Sequence, residues 1–136
     1  MSRVVVIGSG IAGLFAALRL DNAGHDVVII TKQRPKDSST NWAQGGIAGI
    51  LDKTDGEGKE AHIADTLACG DGMCDEAVVR LVVEEAGDRI RDLLDVGVEF
   101  EKEGDGFHFV KEGGHTARRI LHAKDATGAE IERALT

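Results

Sequence analysis

Gly8-Ser9-Gly10-Ile11-Ala12-Gly13 follows the apolar run Val4 to Ile7 and precedes Ile11, Leu14, Phe15 and Leu18 at helical spacing. Gly-x-Gly-x-x-Gly between a strand and a helix is suited to holding a dinucleotide pyrophosphate on the helix N-terminus. The first glycine permits the turn, the second lets backbone approach phosphate, and the third lets helix and sheet pack closely. Free N–H groups of the first helical turn then meet the anion together with the positive end of the helix dipole. Glycine supplies 18 of the 136 residues, so the spacing alone would be weak evidence, and the flanking strand and helix carry the reading. Gly24 marks the helix stop, and His25 to Ile30 reads as a second strand. An acidic residue normally ends that strand and reads the ribose 2′-OH. Thr31-Lys32 stands there instead, which argues against a standard NAD site and leaves FAD and NADP open. The Thr31 hydroxyl can still bond a ribose, and Lys32 can face a phosphate.

Two further clusters are polar and glycine-bearing. Gln33 to Gly46 has no period and contains Pro35, Ser38, Ser39, Thr40, Asn41, Gln44, Gly45 and Gly46. A loop of that length directly after a βαβ-type start is unusual in a compact domain and tends to bind something. The other is Glu112-Gly113-Gly114-His115-Thr116-Ala117-Arg118-Arg119. Cys69 and Cys74 form a single pair with no second pair to complete a zinc site, so no metal is expected and both read as reduced thiols at a turn. His25, His62, His108 and His122 form no constellation and read as structural or exposed.

The elements that must position these clusters follow from periodicity. Ile47 to Leu51 is a short strand or wall, Asp52 to Glu60 a charged surface turn, and residues 59–68 a short helix. Asp75 is a plausible N-cap for a helix over Glu76 to Val96, with Val79, Val82, Val83, Ala86, Ile90, Leu93 and Leu94 on one face and Gly97 at its end. Val98 to Phe100 and Phe107 to Val110 read as β segments flanking a hairpin at Glu103 to Gly106. Ile120 to Ala123 leads to Thr127-Gly128-Ala129-Glu130, a capping-box pattern with Thr127 as the cap. The fold class expected is α/β, a Rossmann-like βαβ unit. Few other parallel strands are visible and the final helix is unfinished at Thr136, so the expectation is the N-terminal segment of a longer protein.

Composition narrows the function classes. A hydrophobic fraction of 42% with no apolar run near the ~20 residues that span a bilayer predicts a soluble domain. The net charge of −8 is concentrated in residues 52–105, which hold 17 acidic and 6 basic side chains. Such a surface disfavours nucleic acid and anionic membranes, and the slightly basic ends are where anionic ligands belong. A strand beginning almost at Met1 leaves no room for a leader, which makes the cytoplasm the default.

Gly8 to Gly13, Ser38-Ser39-Thr40-Asn41-Trp42-Ala43-Gln44-Gly45-Gly46, Glu112 to His115 and Asp125-Ala126-Thr127-Gly128 occur in that order. This series resembles the succinate dehydrogenase/fumarate reductase flavoprotein superfamily, and within it most closely the L-aspartate oxidase family. The resemblance covers essentially the whole chain, and its second and third motifs are the more specific. It implies FAD rather than NAD. Ser9, Gly10, Ile11 and Ala12 would hold the pyrophosphate and Lys32 would lie near the adenosine end. Ser39, Thr40, Asn41, Trp42, Ala43, Gln44, Gly45 and Gly46 would run along flavin and pyrophosphate.

Two positions separate the branches of that superfamily. Dicarboxylate dehydrogenases carry a flavin-linked histidine where this chain has Ser39, so noncovalent FAD is implied. An uncharged residue is usual in them where this chain has Glu112, and a carboxylate there suits the ammonium group of aspartate. Buried and unpaired, Glu112 would be costly, so it needs a cationic partner from substrate or protein. The resemblance implies that Glu112 orients the substrate, and that no catalytic acid/base residue lies within the chain, the family's acid/base arginine being beyond residue 136. His115, Arg118 and Arg119 lie in the same loop and are weaker substrate-orienting candidates for a dicarboxylate. It further implies L-aspartate or another C4 dicarboxylate as substrate, iminoaspartate as product, oxygen or fumarate as electron acceptor, and quinolinate synthase downstream in NAD biosynthesis. A fumarate reductase or succinate dehydrogenase segment, a noncatalytic nucleotide-binding module and an NADP enzyme are the competing readings. A sheet this small should leave apolar surface bare, so weak FAD binding and self-association are expected of the isolated 136 residues.

Overall fold

The computed structural model describes residues 1–136. Strand β1 (Arg3–Ile7), helix α1 (Ile11–Asn22) and strand β2 (Asp26–Ile30) form a parallel βαβ unit in which Arg3 pairs with Asp26 and Ile7 with Ile30. Side chains alternate across the two strands. Val4, Val6, Val27 and Ile29 face α1, and the last two line a small apolar cleft with Leu14, Ala17 and Leu18. Val5, Ile7, Val28 and Ile30 share the opposite face, which is open to solvent, Ile7 to 85%.

Helix α2 (Gly56–Gly70) and helix α3 (Glu76–Asp95) pack against one another. Asp75 caps α3 as its sequence predicts, accepting from the N–H groups of Ala77 and Val78 at 2.9 and 3.3 Å. The surface turn expected over Asp52–Glu60 instead contains the start of α2. The Asp55 carboxylate accepts from Gly58 N at 2.7 Å and caps a helix that its two early glycines hide from propensity.

Strands β3 (Ile47–Ala48), β6 (Phe109–Val110) and β7 (Ile120–Leu121) make a small antiparallel sheet in the order β3-β7-β6. A hairpin, β4 (Lys102–Glu103) and β5 (Gly106–Phe107), turns at Gly104-Asp105. Val98 to Phe100 is not a strand. Val98 and Phe100 point into the core without ladder partners, because packing rather than pairing buries these two side chains, while Glu99 between them stays exposed. The core joins Ile90 and Leu93 of α3 to Val98, Phe100, Leu121 and Ile131, the last on helix α4 (Thr127–Leu135).

Thr127 does not cap α4. Ala126 occupies the N-cap, and the Thr127 hydroxyl turns back to accept from Ala123 N at 3.0 Å. Glu130 likewise leaves the box and accepts from Glu99 N at 2.8 Å. No helix is long and apolar enough to cross a membrane.

Candidate functional site

The turn from β1 into α1 is built for close approach. Gly8 takes φ +109°, a left-handed conformation that disfavours side chains, and its N–H donates to Ile30 O at 2.8 Å, tying the turn to β2. A Cβ at Gly13 would collide with the Gly8 carbonyl, so the third glycine sets the distance between helix and strand. Helix α1 begins at Gly10 with no side-chain cap and no acidic residue in its first turn. Ile11 N donates to Thr40 Oγ1 at 3.0 Å, while the N–H groups of Ser9, Gly10, Ala12 and Gly13 find no acceptor within the chain. Unpaired amides at a helix start, with no carboxylate to repel an anion, are a donor set that fits a pyrophosphate.

Ser9 contributes to this turn by backbone only. Its hydroxyl is buried, donates to Pro35 O at 2.9 Å and lies 3.0 Å from Thr31 Oγ1. With its one proton given to Pro35, Ser9 accepts from Thr31, so both hydroxyls fasten β2 and the following loop to the turn. Lys32 is exposed beyond them.

The segment Ser38–Gly46 crosses the start of α1. Thr40 bonds Ile11 as above, Ala43 O accepts from Gly128 N at 3.0 Å, and the Ser38 hydroxyl lies 2.7 and 2.8 Å from the two carboxylate oxygens of Glu132. Ser39, Ala43, Gln44 and Gly45 are exposed, Asn41 is half-buried, and Trp42 is 74% exposed. The long loop is therefore held at its start and middle and packs its last glycine, Gly46, against β7, leaving Gly45 open.

Glu112 comes to this open end. Its Oε2 is 4.0 Å from the position a Cβ on Gly45 would occupy, and its Oε1 is 2.9 Å from Nε2 of His122. The imidazole nitrogen lies close to the carboxylate but off the line of a well-formed hydrogen bond. His122 thus belongs to the site, contrary to its reading as an isolated histidine, and it rather than Lys111, Arg118 or Arg119 is the protein's partner for Glu112.

His115 and Arg119 face the other way. Arg119 is buried, and its Nη1 donates to Asp65 Oδ2 at 2.6 Å and to His115 Nδ1 at 3.1 Å. The same Asp65 oxygen accepts from Thr116 N and Thr116 Oγ1 at 2.8 and 2.9 Å. The Thr116 amide, followed by the Arg119 guanidinium, lowers the Asp65 pKa to about 2. His62 lies against His115, ring centroids 5.5 Å apart, and burial, reinforced by the charge of Arg119, pushes its pKa down. Arg118 is exposed. Arg119 and His115 are therefore spent inside the protein, fixing the loop that carries Glu112. Sequence reasoning missed Asp65 in this role. Its spacing from His62 and Cys69 along α2, whose thiol donates to Gly114 O at 3.8 Å, is the signal that all three line one helix face under the loop. The second thiol, Cys74, turns to Thr66 O instead, so the two cysteines serve different acceptors.

Comparison with known proteins agrees with this geometry. The family model described as "FAD binding domain" matches residues 3–136. The chain is 51% identical over 134 residues to an L-aspartate oxidase of Streptomyces coelicolor, covering 97% of this chain and 23% of that protein. It is 47% identical over 132 residues to a chloroplastic L-aspartate oxidase of Oryza sativa, covering 96% and 20%. Among solved structures, the Mycobacterium smegmatis Sdh1 complex in the apo form superposes with a TM-score of 0.89 at 33% identity, over 99% of this chain and 24% of that one. The chain spans about a fifth to a quarter of the length of the relatives it matches.

Proposed function

The chain belongs to the FAD binding domain family, and from that premise we propose that it supplies the pyrophosphate- and flavin-binding segment of an enzyme that oxidises L-aspartate to iminoaspartate. The observation that carries the reading is the Glu112 carboxylate beside Gly45, paired with His122 at the open end of the Ser38–Gly46 segment. The amides of Ser9, Gly10 and Ala12 meet the pyrophosphate, with Ile11 held in place by Thr40, and Ser39 to Gly46 border the flavin. Bound FAD supplies the acceptor for the hydride that leaves the substrate Cα. Glu112 receives the substrate ammonium and so favours aspartate over succinate, which lacks that group. His122 gives the carboxylate a partner when substrate is away. Ser39, whose hydroxyl makes no histidyl link, keeps the cofactor noncovalent. Reoxidation by oxygen or fumarate and delivery of product to quinolinate synthase belong to the same proposal.

Likeness in fold to the Sdh1 complex favours a second reading, a succinate dehydrogenase or fumarate reductase segment. Ser39 and Glu112 oppose it. In the full-length protein, Glu112→Gln should lower kcat/KM for L-aspartate by about 10- to 100-fold, the scale of one hydrogen bond to a charged group. Turnover of succinate or fumarate should change little, and acid should release the flavin into the supernatant. Equal losses on amine and non-amine substrates would remove Glu112 from ammonium recognition and return the second reading.

A further inference from the structure

Glu132 is among the most buried side chains of the molecule, 1% exposed, yet no cation lies within ion-pair distance. Its carboxylate has one side-chain partner, the Ser38 hydroxyl, at 2.7 and 2.8 Å from its two oxygens across 94 residues of sequence. A carboxyl group buried with a single hydroxyl for company loses its hydration for one hydrogen-bond partner, a cost that points to a contact that fixes something. What it fixes is the Ser38–Gly46 segment. While donating to Glu132, Ser38 also accepts from Asn41 N at 3.3 Å, closing the first turn of the loop. One helical turn earlier on the same face of α4, Gly128 lies so close to the loop that a Cβ there would collide with Thr40 O. The loop is thereby pressed onto α1, where Thr40 takes the Ile11 amide and no other.

We propose that Glu132 is a positioning residue for FAD, acting through Ser38: its carboxylate anchors the loop so that Thr40 stays on Ile11 while the neighbouring amides of α1 remain free for the pyrophosphate. The inference rests on FAD binding by the family and is independent of which substrate is oxidised.

The test uses the full-length protein, with FAD dissociation constants read by flavin fluorescence and apo-protein stability by thermal melting. Glu132→Leu should weaken FAD binding about tenfold or more. Glu132→Gln should stay within about threefold of the parent, because a carboxamide can both accept from and donate to one hydroxyl. The double variant Ser38→Ala/Glu132→Leu, which replaces a buried polar pair with an apolar one, should recover the apo melting temperature and keep the FAD defect. Recovery of FAD affinity along with melting temperature in the double variant would reduce Glu132 to a structural role. An unchanged FAD dissociation constant in Glu132→Leu would overturn the proposal outright.

Discussion

The β1–α1–β2 unit and the core around α3 and β7 stabilise themselves in different ways. In the core, Ile90 and Leu121 are wholly buried, and residues from Ile90 to Ile131 meet in one cluster. In the βαβ unit, Val5, Ile7, Val28 and Ile30 lie open on one face of a two-stranded parallel sheet, although parallel sheets are ordinarily covered on both faces. The unit that shapes the anion site is therefore held by backbone geometry and hydrogen bonds: Gly8 to β2, Ser9 to Pro35, Thr40 to Ile11. Most of the buried apolar side chains lie in the other region, which joins the βαβ unit through Ile11 and Phe15 of α1 as well as through α4 and the loop. Binding geometry and the larger share of apolar burial thus lie in different parts of the chain.

The largest effect expected from this division is on the core side. Leu121→Ala should cost about 2–5 kcal/mol in chemical denaturation, because a fully buried leucine loses both its transfer energy and its packing. Val5→Ala, on the open face, should cost less than about 1 kcal/mol. Equal losses would show that the open face is covered in solution and would break the comparison.

An intermediate effect is expected on acidification, and it should be confined to the loop that carries Glu112. Asp65 is lowered from 3.8 to about 2 in the folded state by its bonds from Thr116 and Arg119. The unfolded chain therefore takes up that proton first, and the stabilisation, complete above about pH 4, is lost as pH falls toward 2. His62 acts in the same direction at higher pH. Its folded value lies below 6.5, so its protonation favours unfolding as pH drops through that value. The protection factor of the Thr116 amide, corrected for the intrinsic slowing of exchange in acid, should fall on acidification well before those in β1 do, and Asp65→Asn should flatten the acid limb below pH 4. Uniform loss of protection across both regions would mean that the two do not open separately.

What could be read from the sequence divides along the same line. The βαβ unit, the α3 cap at Asp75 and the hairpin at Gly104-Asp105 are local, so glycine spacing, alternation and a capping side chain suffice to find them. Thr127 misled because the chain enters α4 directly from β7, and Ala123 N claims the hydroxyl that a capping box would have used. Asp55 went unread as a cap because Gly56 and Gly58 disguise the helix it opens. In the candidate site, the motifs singled out Glu112 and the Ser38–Gly46 loop, which the fold brings together. Its partnerships, His122 with Glu112, Asp65 with Arg119 and Glu132 with Ser38, join segments 10, 54 and 94 residues apart. The two longer ones have no spacing rule, because tertiary packing alone brings those side chains together. The shortest joins a loop to the far side of β7, where the intervening turn conceals it.

The smallest effect on folding should be the most visible in solution. Ile7 and Ile30 are neighbours in register on the open face, and together with Val5 and Val28 they make a continuous apolar patch on a purified 136-residue chain. Two such patches can cover one another, since removing apolar area from water is favourable whatever covers it. Sedimentation of that chain should therefore show association that rises with concentration. Ile7→Lys should suppress it, while the denaturation midpoint moves by no more than about 0.5 kcal/mol, the ordinary range for an exposed position. The Lys substitution also separates two origins of association. If the open face drives it, Ile7→Lys gives a monomer, whereas Leu81→Lys, at an exposed position on α3, does not. The reverse pattern would move the sticky surface from the βαβ unit to α3 and assign the self-association to the region that holds the core.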